Sequence, residues 1–114
     1  MPRFVILEHD HPERHWDLML EMGDVLRTWR LASPPVVNVS IAAEASFDHR
    51  LMYLDYEGPI SEGRGSVVRW DGGWYELDKQ TEGHLIAQVS GRRLLGKIEL
   101  AFEHDGRWAF HFSE

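Results

Sequence analysis

Apolar and polar positions alternate with a period of two along most of this chain. Arg3–Glu8 (RFVILE) is aliphatic, β-branched and aromatic, the composition of a strand. His15–Glu21 (HWDLMLE) sets Trp16, Leu18 and Leu20 on one face and His15, Asp17, Met19 and Glu21 on the other. Gly23-Asp24 reads as a two-residue hairpin turn, after which Val25–Leu31 returns as the paired strand. Gly65–Trp70, Gly73–Leu77, His84–Ser90, Leu95–Glu103 and Arg107–Phe112 continue in the same style. Turn signals stand at Asp71-Gly72-Gly73, Glu82-Gly83, Ser90-Gly91 and Asp105-Gly106. Ala32-Ser33-Pro34-Pro35 opens a loop that runs toward Asp48, since neither a helix nor a central strand accepts two prolines. Within it, Ile41–Phe47 reads as a short helix, and Trp70, Trp74 and Trp108 are expected in the core. The pattern predicts a mainly all-β chain. It forms a small closed or nearly closed β-barrel of about eight strands with one or two short helices.

Length and composition narrow the function classes. The 114 residues allow one domain, expected over 1–114. A chain of this size buries roughly two-thirds of its unfolded surface, so it needs no staple. Without Cys, disulfides, zinc–thiolate sites and thiol nucleophiles are excluded. The longest apolar run falls far short of the ~20 residues of a membrane span. No basic-then-apolar leader opens the chain, so a cytoplasmic protein without a membrane partner is expected. The 12 Lys+Arg against 19 Asp+Glu give a net charge of −7, which argues against a general nucleic-acid coat protein. Apart from Lys79 and Lys97 every cation is Arg, the better bidentate phosphate ligand.

Candidate chemistry concentrates near the N-terminus, in Glu8-His9-Asp10-His11-Pro12-Glu13-Arg14-His15-Trp16-Asp17. His15 and Asp17 are two apart on a strand and share a face. His9 closes the preceding strand, and a short loop through Pro12 can bring it beside that pair. Two imidazoles and one carboxylate suit a divalent transition metal with open positions for water and substrate; manganese, zinc and cobalt all fit. Solvated loop histidines give the same spacing, and His11, mid-loop beside Pro12, falls outside the set.

Phe4–Trp29 (FVILEHDHPERHWDLMLEMGDVLRTW) resembles the 3′-phosphoesterase module of bacterial DNA ligase D. Its pattern is an aromatic-led strand, H-x5-H-x-D-x-R-L-E, a tight turn and V-L-K-S-W. A second block, Asp48-His49-Arg50-Leu51-Met52-Tyr53 through Glu57-Gly58-Pro59-Ile60-Ser61-Glu62-Gly63, is similar to the family's D-H-P-x-x-Y-x-x-F-E-G-x-I-P-E-G. A third, Ser90-Gly91-Arg92-Arg93-Leu94-Leu95-Gly96-Lys97, is similar to its G-x-K-L-x-G-x-W ending. The resemblance implies a small β-barrel with manganese-dependent trimming of DNA 3′ ends, removing a 3′-phosphate or a 3′-ribonucleoside during repair. It implies His9, His15 and Asp17 as metal ligands, with His49 and Tyr53 at the scissile phosphate. On one helical turn His49 and Tyr53 would share a face.

This chain departs from the pattern where the family carries Arg two residues after the Asp ligand: it has Met19, which offers no charge. The Lys of the family's P-K-G loop is also missing from Ala32-Ser33-Pro34. The hairpin register offers a substitute. If Gly23-Asp24 is the turn, Met22 pairs with Val25, Leu18 faces Trp29, Met19 faces Thr28 and Asp17 faces Arg30. Arg30 then supplies the cation that Met19 lacks, unless it simply pairs with Asp17. Arg50, Arg64 and Arg69 are further cations that strand parity does not separate. Arg92, Arg93 and Lys97 form a basic cluster that is either a rim for a nucleic-acid backbone or a solvated turn.

Three functions fit these residues. The first is a Mn-dependent phosphoesterase acting on nucleic-acid 3′ ends, with any ligase or polymerase supplied in trans. The second is a weakly active or inactive relative that serves as a metal- or phosphate-binding interaction module. The third is a phosphoesterase for another small phosphate ester.

Overall fold

The alternating segments form ten strands in a computed structural model that describes residues 1–114. They are β1 (Arg3–His9), β2 (His15–Met22), β3 (Val25–Leu31), β4 (Ser40–Ala45), β5 (His49–Arg50), β6 (Gly58–Pro59), β7 (Ser66–Thr81), β8 (His84–Gly91), β9 (Leu95–His104) and β10 (Arg107–Ser113). Eight of them close a barrel in the order β1-β2-β3-β4-β10-β9-β8-β7, and β7 returns to pair with β1. Every pairing in the ring is antiparallel, and the return of β7 to β1 leaves the ring no open edge. No helix of the chain is long and apolar enough to cross a membrane.

The barrel interior follows from the period of two. Phe4 and Ile6 of β1, Leu18 and Leu20 of β2, Trp29 and Leu31 of β3 point inward. They meet Leu85, Ala87 and Val89 of β8 and Trp108, Phe110 and Phe112 of β10. Each fully buried large side chain contributes about 1.5–3 kcal/mol. Trp29 and Trp108 stack edge to face at 5.6 Å, and the Arg27 guanidinium lies 4.4 Å from the Trp29 ring.

The residues between these inward positions are not all solvated. Val5, Leu7, Met19 and Leu26 point outward and form a second apolar cluster with Leu54 and Val67. What covers this outer wall is the connection from β4 to β7. It pairs with β3 through β5, makes one 3-10 turn at Leu51–Leu54, then pairs with β7 through β6. The connection therefore crosses over β2 and β1. Arg3 and Arg69 hold it there, both donating to the Leu54 carbonyl (3.4 and 2.9 Å), while Arg3 also pairs with Asp55 at 2.7 Å.

Four expectations are corrected. Ile41–Phe47 is not a helix: Ser40–Ala45 is β4, because Ile41 and Ala43 alternate inward and β10 and β3 lie free on either side. Asp71-Gly72-Gly73 is not a turn but the middle of β7. The two glycines admit the Arg69 guanidinium and the Ser90 carbonyl, which a Cβ at either position would strike. Trp74 is exposed, since its neighbour Tyr75 takes the inward position. His49 and Tyr53 do not share a helical turn; His49 lies on β5 and Tyr53 on the 3-10 turn.

Asp71 shows how the barrel end is closed. Its buried carboxylate accepts the backbone N–H groups of Gly72, Arg92 and Leu94, each at 2.8 Å, which holds the turn between β8 and β9. Replacing it strands buried donors, so Asp71→Ala is expected to lower stability by about 3 kcal/mol in urea unfolding. An unchanged midpoint would refute this role.

Candidate active site

Register places the first three functional side chains. β1 and β2 pair His9 directly with His15, so both imidazoles leave the outer wall side by side, and Asp17 follows one period on. The His15 Nε2 lies 3.2 Å and the His9 Nδ1 3.7 Å from Asp17 Oδ2. One ligand atom from each residue falls within a sphere of mutual distances no longer than 4.8 Å. His11 is not in this group; it lines the cavity wall instead.

The second nitrogen of each imidazole is already committed. His9 Nε2–H donates to the Arg64 carbonyl and His15 Nδ1–H to the Glu13 carbonyl, both at 2.8 Å. In the neutral rings His9 Nδ1 and His15 Nε2 then carry the lone pairs, and both face Asp17. Metal-binding histidines are oriented by outer carbonyls in this way. The donor chemistry and its orientation therefore fit a divalent metal. Gly65, at φ 74°, brings the Arg64 carbonyl to His9; a Cβ there would strike Asp10 and His11.

Opposite this cluster stands the crossing connection. His49 Nδ1 is 2.9 Å from the Phe47 carbonyl and 3.0 Å from Thr28 Oγ1, whose own hydroxyl donates to the Leu26 carbonyl. His49 Nδ1–H is thus the donor, and Nε2 is left free. Phe47, 72% exposed, stacks on the His49 ring at 4.5 Å, and Tyr53 meets it edge-on at 5.7 Å. Burial pushes the His49 imidazolium down from its ordinary value. For His15 burial also lowers the pKa, but the hydrogen bond and charge of Asp17 outweigh it and the net direction is up.

Between the two sides lies a cavity of about 470 Å³. His9, Asp17, Arg30, His49 and Tyr53 line it, with Leu7, Met19, Ile60 and Val67 as apolar wall. Arg30 is directly across from Asp17, as the hairpin register predicts. It makes no ion pair with Asp17 or any other acid, and its Nε is buried without a partner. Arg50 and Arg64 also reach the cavity; Arg69 does not. Met19 is 2% exposed and belongs to the outer apolar cluster, so its place is one of packing as well as lining. Sequence reasoning missed the carbonyls of Glu13 and Arg64, which carry no side-chain signal. It also missed Thr28 as the anchor of His49, although the register placed Thr28 opposite Met19.

The protein is a closed all-β barrel whose histidine–carboxylate cluster borders an outer-wall cavity that also holds a free arginine. Residues 7–101 match the DNA Ligase D 3′-phosphoesterase domain, and the chain belongs to that family of phosphoesterase domains. It is 33% identical to the Multifunctional non-homologous end joining DNA repair protein LigD of Mycobacterium tuberculosis over 117 residues, covering 95% of this chain and 15% of that protein. Over 108 residues it is 33% identical to the Multifunctional non-homologous end joining protein LigD of Pseudomonas aeruginosa, covering 86% of this chain and 13% of the relative. The protein of the same name from Mycolicibacterium smegmatis is 29% identical over 125 residues, or 96% of this chain and 16% of its own. The chain thus spans about 15% of the length of these relatives.

In the metal-free protein, His15 is expected to titrate above 6.5 and His49 below it. Ring-proton NMR across pH 4–9, a range of about two units either side of a free imidazole, reads both. The reverse order would contradict the burial and pairing described here.

Proposed function

We propose that this chain is a divalent-metal-dependent phosphoesterase that trims nucleic-acid 3′ ends, removing a terminal 3′-phosphate or 3′-ribonucleoside. The observation that carries this reading is the convergence of His9 Nδ1, His15 Nε2 and Asp17 Oδ2 at the edge of a cavity that His9 and Asp17 line together with an unpaired Arg30 and His49, whose Nε2 is free. His9, His15 and Asp17 would hold manganese; the same donors suit zinc or cobalt. When bound, the ion would polarise the phosphate and lower the pKa of water.

The chain's own groups do the rest. Arg30 holds non-bridging phosphate oxygens through its guanidinium N–H groups, which form no ion pair with its cross-strand neighbours Asp17 and Glu44. His49, fixed by its Nδ1–H on the Phe47 carbonyl, presents Nε2 to the leaving oxygen and delivers a proton there when charged. The phosphate's negative charge raises the otherwise depressed basicity of that ring. The Tyr53 hydroxyl adds a donor beside it. Leu7, Met19, Ile60 and Val67 keep bulk water from the reacting atoms. The trimmed end then suits extension by a polymerase or joining by a ligase.

Met19 carries the second reading. With an apolar side chain sealed in the wall where the family pattern has Arg, a metal- or phosphate-binding module without turnover remains the competitor. The assay that separates them uses a primer–template ending in a 3′-phosphate or a 3′-ribonucleotide, with and without Mn²⁺. Hydrolysis is expected with Mn²⁺, and His15→Ala or Asp17→Ala should weaken Mn²⁺ binding at least about 100-fold and abolish turnover. Arg30→Ala should lower affinity for phosphate or substrate about 10- to 100-fold, the range of a charge-assisted hydrogen bond. Bound Mn²⁺ with no turnover would favour the binding module, and unchanged phosphate affinity in Arg30→Ala would remove Arg30 from the site.

A further inference from the structure

A second cleft, about 550 Å³, opens beside the barrel end and is lined by Arg69, Trp70, Asp71, Gly72, Arg92 and Arg93. Three arginines converge there in a chain whose net charge is −7. None of them forms an ion pair with a carboxylate. The one acid in the cleft, Asp71, is occupied by three backbone N–H groups. The acids near Arg69 are also engaged: Asp55 is held by Arg3, and Glu57 accepts the backbone N–H of Arg69. The Arg93 guanidinium rests 4.6 Å from the centre of the Trp70 ring, which holds it in place without neutralising it. The Arg69 guanidinium lies over Gly72, where an added Cβ would come within 2.7 Å of it.

The cleft shares no lining residue with the main cavity, and β7 links the two. Val67 lines the cavity, and Arg69 follows two residues later on the same strand. Leu7, which pairs with Arg69, lines the cavity too. Along β1, His9 and the partner of Gly72, Val5, are separated by about 13 Å at ~3.3 Å per residue. At ~3.4 Å per nucleotide along a duplex axis, this is about four nucleotides. A different cleft also borders the cavity through Arg30, but there Glu13, Glu44 and Glu103 stand against Arg14, Arg30 and Arg107. Its charges cancel, which leaves no net attraction for a polyanion.

We infer that the cleft of Arg69, Arg92 and Arg93 is a second phosphate-binding site that takes the backbone of the nucleic-acid strand whose 3′ end enters the main cavity; this rests on the reading of that cavity as a 3′-end site. It grips phosphates several nucleotides back from the end and carries no base recognition. It also explains how an acidic chain engages a polyanion: the positive charge is gathered in one track and not spread over the surface.

The test is fluorescence anisotropy of a 5′-labelled primer–template duplex, titrated with the full chain in the absence of metal across a salt series. The double variant Arg92→Ala/Arg93→Ala should bind at least about tenfold more weakly, with the slope of log Kd against log salt smaller by about 2. Arg92→Lys/Arg93→Lys, which keeps the charge, should restore most of that slope. Arg107→Ala, on the mixed-charge cleft, should bind like the parent. Thermal melting confirms that each variant folds. Parent-like affinity and slope in the double alanine variant would overturn the proposal. So would a loss confined to Arg107→Ala, or no duplex binding by the parent chain at low salt. Duplex binding that behaves as expected alongside absent hydrolysis would strike the phosphoesterase reading and leave this site standing.

Discussion

The register between β1, β2 and β3 is the constraint on which the rest of the molecule depends. These strands bury both faces: one lines the barrel, the other lies under the crossing connection. A slip of one residue would turn His15 and Asp17 into the barrel core and set Leu18 and Leu20 against the cavity. Burying that carboxylate among Trp29, Phe4 and Phe110 without a partner would cost several kcal/mol, a large share of the stability of a small domain. The tight turn at Gly23-Asp24, with Gly23 at φ 65°, is what counts off the correct pairing. Fold and site are therefore specified by the same hairpin.

Much of this was legible because strands of period two write both faces into the sequence. The alternation of β2 and the turn chemistry together placed Asp17 opposite Arg30, and the structure has that pair. The clustering of His9, His15 and Asp17 was legible for the same reason. Three things were not. β4 carries Ala42, Ala43 and Ala45, whose small side chains favour a helix locally, and only the free edges of β3 and β10 turn it into a strand. The double glycine of β7 signals a turn in isolation and close approach in context. The apolar character of Met19 and Leu26 on the outer wall needed a cover that is distant in sequence, and no local pattern announces it.

The two halves of the cavity have different footing. His9, His15 and Asp17 stand on barrel strands whose hydrogen bonds are shared with neighbours on both sides. His49, Tyr53 and Phe47 stand on a connection secured by two short pairings, a 3-10 turn, the guanidiniums of Arg3 and Arg69, and the outer apolar cluster. Burying Leu54 against Val5, Leu7 and Met19 adds to these in seating the side that carries His49. That gives Met19 a second meaning. Its side chain shares an apolar cluster with Leu54, on the segment that brings His49.

The orientation of the paired imidazoles comes from two peptide carbonyls, those of Glu13 and Arg64. A carbonyl is the same whichever side chain it carries. The aim of the His9 and His15 lone pairs at Asp17 thus does not depend on the side chains at positions 13 and 64, although the Arg64 side chain has its own place in the cavity wall. What must be kept is the number of residues in the two loops and the absence of a Cβ at Gly65.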